Sequence, residues 1–188
     1  AGAHSLHATV GLSIPTGDIK NTDTALTPMN MRPEMRLPYA MQLGTGTYDF
    51  EPAITYNGRD DKLSWGAQVK YTSSIEGKND QGYQHGDKLD FSAWAAYRVA
   101  QSVSLSARYL FKDQDAIEGI DSNIMAPVQS ANPDYYGGSQ SDLALGLNWV
   151  NSQGHRLALE YQTTLEQDAN GVQMQMDDMV TLGYQFAF

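Results

Sequence analysis

The chain has 188 residues, no cysteine and a formal net charge of −10, from 12 Lys and Arg against 22 Asp and Glu. That length suits a single domain over 1–188. The acidic balance excludes nucleic acid as a partner, because a phosphate-binding surface needs clustered positive charge, and it excludes a polybasic membrane anchor. Without cysteine there is no disulfide framework, thiolate metal site or cysteine nucleophile.

No apolar run approaches the roughly 18–20 residues of a membrane-spanning helix. A membrane barrel is not excluded, since alternating strands keep mean hydropathy low, here −0.46. The chain opens Ala-Gly-Ala-His, with no initiator Met and no signal peptide. The expectation is that a signal was removed or that this is the later part of a longer chain.

The dominant pattern has period two, that of strands. Leu6, Ala8, Val10, Leu12 and Ile14 alternate with polar residues and glycine, followed by Tyr48, Phe50, Pro52, Ile54 and Tyr56. Leu63 to Tyr71 makes a third run, Leu89 to Val99 a fourth and Val103 to Phe111 a fifth. Leu143 to Trp149, Leu157 to Thr163 and Val180 to Phe188 complete eight. Most approach the roughly 9–11 residues with which a tilted strand crosses a bilayer.

The connections alternate in length. Long segments (15–40, 73–88, 113–140) and one of middling length (165–179) are interleaved with short breaks at 57–61, 100–102 and 151–155. A soluble sandwich has no reason to keep every second loop long, whereas a membrane barrel has short periplasmic turns and long external loops. The count puts both chain ends on the periplasmic side. Periodicity alone does not say which face points outward: in a lipocalin-type soluble barrel the apolar set would face in.

Two features favour the membrane arrangement. Aromatics (Tyr56, Trp65, Tyr71, Tyr97, Tyr109, Trp149, Tyr161, Tyr184) sit near strand ends on the apolar face, as interfacial girdles require. The chain also stops on Phe188, and such a terminal aromatic strand resembles the signal that outer-membrane proteins present to the barrel-assembly machinery. The predicted fold is therefore all-β: an antiparallel up-and-down transmembrane β-barrel with eight strands in this chain, multi-pass in the outer membrane of a Gram-negative bacterium, with lipid around it.

Further motifs carry a family resemblance. They are Ile14-Pro15-Thr16-Gly17, Leu37-Pro38-Tyr39-Ala40-Met41-Gln42-Leu43-Gly44-Thr45-Gly46-Thr47-Tyr48-Asp49, and Ser64-Trp65-Gly66-Ala67-Gln68. Asn79-Asp80 with Gly82-Tyr83 and Gly86-Asp87, and Ala131-Asn132-Pro133-Asp134-Tyr135-Tyr136-Gly137-Gly138, continue the set. Gly154-His155-Arg156-Leu157-Ala158-Leu159-Glu160-Tyr161 and Leu182-Gly183-Tyr184-Gln185-Phe186 close it. Together they resemble the outer-membrane β-barrel family assigned to the MetA pathway of phenol degradation, over nearly the whole chain. The resemblance implies a transporter-like barrel. Members are usually longer upstream, so it leaves two forms: a barrel closing with eight strands, or the C-terminal part of a larger one.

The face opposite the apolar set is strongly polar. Its charged members, Lys70, Asp90, Arg98, Arg108, Lys112, Asp142, Arg156 and Glu160, are the candidate lumen-lining residues, with His7, Gln68, Asn148, Gln162 and Gln185 among them. They would either sort solutes in a water-filled lumen or pair with one another in a filled interior, since an eight-stranded barrel is only wide enough for side chains. On the hairpin around Gln101, position sums near 202–203 are opposed, so Asp90 faces Lys112 as an expected ion pair and Arg98 lies near Ser104. Arg98 and Arg108 lack an acid on that hairpin, which leaves Asp142, Glu160 or a solute as partners.

Methionines form the second candidate. Met29, Met31, Met35 and Met41 lie in or beside the first long loop, and Met174, Met176 and Met179 in or beside the last. Thioether sulfur is a soft Cu(I) or Ag(I) ligand, so Met29, Met31, Met35, Met174 and Met176 are the candidate metal residues; the alternative is adaptable apolar packing.

Catalysis finds no support. His4, His7 and His155 fall at the periplasmic side and His85 in an external loop near Asp80 and Asp87, without any Gly-x-Ser-x-Gly, His-Glu-x-x-His or phosphate-cradling loop. The expectation is thus no enzyme and no cofactor. The leading function is a porin-like channel or transporter for small molecules, aromatic or hydrophobic ones included. The alternatives are a structural or interaction barrel working through its external loops, and copper handling through the Met-rich loops.

Overall fold

The computed structural model describes residues 3–24, 26, 29–125 and 128–186; the terminal Phe188 lies outside them. The alternating runs become eight long strands: β1 (Ala3–Ser13), β2 (Asp49–Arg59), β3 (Leu63–Ser74), β4 (Lys88–Ala100), β5 (Val103–Gln114), β6 (Gly138–Val150), β7 (His155–Ala169) and β8 (Met179–Phe186). No α-helix occurs among the described residues. Each strand pairs antiparallel with the next in the chain, so the eight form one meandering sheet in sequence order with β1 and β8 as its edges.

The register carries the alternation across the sheet. Leu6 opposes Tyr56, Tyr56 opposes Ala67, Ala67 opposes Ala93, and the same row runs on through Tyr109 and Leu143. A bulge lets the β7 ladder skip Leu165 between Thr164 and Glu166, opposite Ser141 and Asp142. Because the side-chain period is two, one face collects the apolar residues and the other the polar ones.

The apolar face is the uncovered one. Leu6, Val10 and Leu182 are 72, 75 and 75 % exposed, and Ile54, Leu105, Leu145 and Tyr184 are exposed with them. Of the long strands, only Ala144 contributes a buried apolar side chain. The molecule exposes 12208 Å², against the roughly 8900 Å² expected of a folded monomer of its mass. A water-soluble two-layer fold buries its apolar face against a second layer; here the described residues provide none.

The compact apolar core lies elsewhere, in the long connections. Ile19 and Tyr39 from the 14–48 segment, Tyr83 from 75–87, and Ile117 and Ile124 from 115–137 pack together, with Ala131 and Tyr136 against them. Two short ribbons support this cap: Thr22–Thr24 with Glu34–Arg36, and Tyr83–Gln84 with Glu118–Gly119. The second ribbon joins two different connections. By contrast, the turns at 60–62, 101–102 and 151–154 are short. One end of the sheet thus carries a folded cap and the other only tight turns.

Candidate functional site: the polar face and its cap

All eight charged candidates stand on the face opposite the apolar rows, because their registers interlock. Lys70 opposes Asp90, which opposes Lys112; Arg98 opposes Ser104; and Glu160 opposes Gly146. Among the eight only Arg108 and Glu160 pair with each other; most of the others are met by residues outside the set. Lys70 Nζ lies 2.8 Å from Glu51 on β2, and Arg108 on β5 forms an ion pair with Glu160 on β7, across β6. Arg156 donates to Asn148 Oδ1 at 2.8 Å, and Arg98 donates to the Asp61 carbonyl in the β2–β3 turn.

The hairpin reading around Gln101 is correct in register and wrong in one partner. Asp90 does oppose Lys112 and Arg98 does oppose Ser104. The Asp90 carboxylate, however, is held by Lys88 at 2.9 Å, on the same strand and face two residues before it. Lys112 makes no ion pair among the described residues; it stands with Gln140 and Gln167 around a space of about 210 Å³ at the cap end. Of the two arginines lacking an acid on their hairpin, Arg108 finds Glu160 while Arg98 is satisfied by a turn carbonyl.

Asp142 is buried without a cationic partner. Its carboxylate accepts from Gln140 Nε2 at 2.9 Å, Gln162 Nε2 at 3.1 Å and Thr164 Oγ1 at 2.8 Å. Three neutral donors converging on one carboxylate supply the hydrogen bonds that a buried charge needs. Asp49, at the cap end of β2, is held likewise by Thr45 Oγ1 at 3.0 Å and Thr47 Oγ1 at 2.6 Å.

Toward the short-turn end many residues of the polar face are small: Ser64, Gly66, Ala96, Ser104, Ser106, Gly146, Ala158 and Gly183. They leave a cavity of about 590 Å³ bordered by Trp94, Arg108, Asn148, Arg156 and Glu160. The Nε of Arg108 is buried with no hydrogen-bond partner. The polar face is therefore covered at one end and open at the other.

The cap's polar interior was not legible as a site in the sequence. Arg36 reaches all three long connections: its Nη1 donates to the Ile19 carbonyl at 3.2 Å, to Gln81 Oε1 at 3.2 Å and to Asp121 Oδ2 at 3.1 Å. Asp121 is 1 % exposed, and its backbone N–H donates to the Tyr39 hydroxyl at 3.1 Å. Burial, with the Asp121 carboxylate adding to it, raises the pKa of Tyr39, and burial raises those of Tyr83 and Tyr136. Burial also lowers that of His85, although Asp49 opposes the shift. His85 is half-buried, its ring packed edge-on to Tyr83. The signal that could have pointed here is the recurrence of tyrosine and isoleucine (Ile19, Tyr39, Tyr83, Ile117, Ile124, Tyr136) inside otherwise polar loops.

The methionines stand apart. Met29 and Met31 are exposed in the 14–48 segment, and Met35 opposes Asp23 in its ribbon. Met174 and Met176 are exposed in the 170–178 segment, which joins β7 to β8 at the other margin of the sheet. Among the described residues no group of three or more His, Cys, Asp or Glu is placed to hold a metal ion.

Many residues of the family-like motifs meet in the cap. Gly17 packs so closely on the Leu43 carbonyl that a Cβ would overlap it, and Gly86 does the same against Asp115 and Ala116. Asn79 Nδ2 donates to the Thr45 carbonyl at 2.9 Å, and the Tyr136 hydroxyl donates to the Ser130 carbonyl at 2.7 Å. Neither a family model nor a curated protein matches the chain.

Proposed function

We propose that the chain forms an outer-membrane β-barrel of a Gram-negative bacterium that passes small molecules along its polar face. The observation carrying this reading is the apolar face, continuous over eight strands and uncovered, with the ion pairs of the strands collected on the opposite face. A lipid surround makes that arrangement favourable, and water makes it costly. Aromatics near the strand ends support it. Phe50 and Tyr71 stand toward the cap and Tyr56 and Trp65 toward the turns, six residues apart on their strands, or about 20 Å at ~3.3 Å per residue.

Lipid leaves no strand edge unpaired. β1 runs toward the cap and β8 away from it, so the two edges are antiparallel, and their pairing would close an eight-stranded barrel; further strands between them would close a wider one. The resemblance to the MetA-pathway family, resting on the shared motifs, agrees with a transporter-like barrel. A small solute, aromatic or hydrophobic ones included, would meet Trp94, Arg108 and Arg156 at the open end of the polar face.

The folded cap favours a second reading, a barrel whose external loops bind while its interior stays filled. Copper handling would require the two methionine groups to meet, which only closure of the sheet brings within reach. Reconstitution into planar bilayers separates the first two readings. A channel gives discrete conductance steps, and a filled barrel gives none while still migrating faster unheated than boiled on a detergent gel. A chain that stays monomeric in water without detergent, or whose far-UV spectrum is dominated by helix, would overturn the membrane reading altogether.

A further inference from the structure

Two ends of the polar face differ, and the difference lies in the long connections. At the short-turn end small side chains border the open cavity. At the other end Thr47, Asp49 and Asp142 are buried, and the half-buried His85 packs against Tyr83. The segments responsible leave the sheet from strands well separated in it, 14–48 between β1 and β2 and 115–137 between β5 and β6, yet they bond to each other and to 75–87 between them. They meet in one small core of five buried side chains.

One guanidinium connects all three segments. Arg36 bonds to Ile19 in its own segment, Gln81 in the second and Asp121 in the third. Arg36 and Asp121 side chains are 13 % and 1 % exposed, so removing either one strands the other's charge in the closed cap. A core this small opens locally at far lower cost than the sheet unfolds. A cap held by so small a core and one central ion pair can part while the sheet stays intact.

We infer that the cap is a lid over the long-loop mouth of the polar path, joined in this structure and latched by Arg36–Asp121. The inference rests on the channel reading and adds its regulation: solute reaches the polar face freely from the short-turn end and crosses the other end only when the lid parts. The latch neither binds nor moves solute; it sets the fraction of time the mouth is open.

The chain has no cysteine, so an engineered disulfide can hold the lid shut. Gln84 and Glu118 are directly opposed in the ribbon joining the second and third segments, within the Cα separation that a disulfide spans. In planar bilayers, Gln84→Cys with Glu118→Cys should lose its openings when oxidised and recover them on reduction. Asp121→Asn should raise the open fraction by about tenfold or more, since a latch that decides a two-state equilibrium moves it by at least that factor. Protease cleavage within 115–137 should accelerate in parallel, while the unheated gel mobility of the barrel stays as in the unmodified protein. Equal conductance from the oxidised and reduced forms would overturn the lid and leave the channel standing. Absence of current in every form, including one with 115–137 replaced by a short turn, would overturn the channel reading and the lid with it.

Discussion

Arg108 and Glu160 form the ion pair nearest the middle of the strands, and each bridges a gap left by the small residues Ala144 and Gly146 between them. Both side chains are roughly one-third exposed, between a surface pair worth under ~1 kcal/mol and a buried one whose disruption costs ~3–5 kcal/mol. Arg108→Ala should therefore lower stability by about 1–2 kcal/mol, read from urea unfolding in lipid vesicles. Adding Glu160→Gln should recover part of that loss by removing the stranded charge. Equal losses from the single and double variants would show that the arginine acts by packing alone. Arg98 makes no such pair, because its guanidinium is spent on the Asp61 carbonyl, and Arg98→Ala should cost less than Arg108→Ala in the same measurement.

At the scale of the strands, tryptophan and glycine are matched across β3. Trp94 on β4 lies over Gly66, where a Cβ would overlap both its ring and the Tyr56 carbonyl, and Trp65 lies over Gly58 in the same way on the other face. Glycine here provides room for a ring lying flat across the neighbouring strand, a device that pins register. Gly66→Val should displace Trp94 from the polar face. The expected outcome is a red-shifted, more quenchable tryptophan emission and a lower unfolding midpoint, whereas Gly183→Ala should be tolerated because its nearest neighbours are 3.9 Å or more away. Identical behaviour of the two variants would remove the register role. The long connections show the opposite economy: they read as polar loops in sequence, yet five tyrosine and isoleucine side chains spread over three of them form the compact apolar core.

Charge is distributed unevenly over the whole molecule. Of the 22 acidic residues all but Asp60, Asp61 and Glu160 lie from the middle of the strands to the cap end, which holds seven of the 12 basic ones. The cap half thus carries seven basic against nineteen acidic side chains, a net of −12, and the turn half a net of +2. Such a field concentrates cations at the cap end and repels anions over a distance set by ionic strength. In the proposed channel, reversal potentials across a salt gradient should show potassium preferred over chloride at low salt, with the preference shrinking as salt rises. Anion preference at low salt would contradict this field as the determinant. In the proposed channel an anionic solute would accordingly match the cap end less well than a neutral or cationic one, even though arginines line the other end.

The period-two pattern was sufficient by itself to define eight strands, their order along the chain and the tight turns, because alternation and turn chemistry are local properties of consecutive residues. Cross-strand neighbours around Gln101 followed from the same arithmetic, since a tight turn leaves one register available. Ion-pair partners did not follow: Asp90 chose Lys88 over Lys112, and Arg108 reached Glu160 across β6, because side-chain reach and competition are settled only once all strands are in place. The cap was least legible of all. Ile19, Arg36, Tyr39, Tyr83, Ile117 and Asp121 are far apart in the chain and share no period. Only the sheet, by bringing the ends of β1, β2, β3, β4, β5 and β6 to one side, makes those loop residues neighbours that can bury one another.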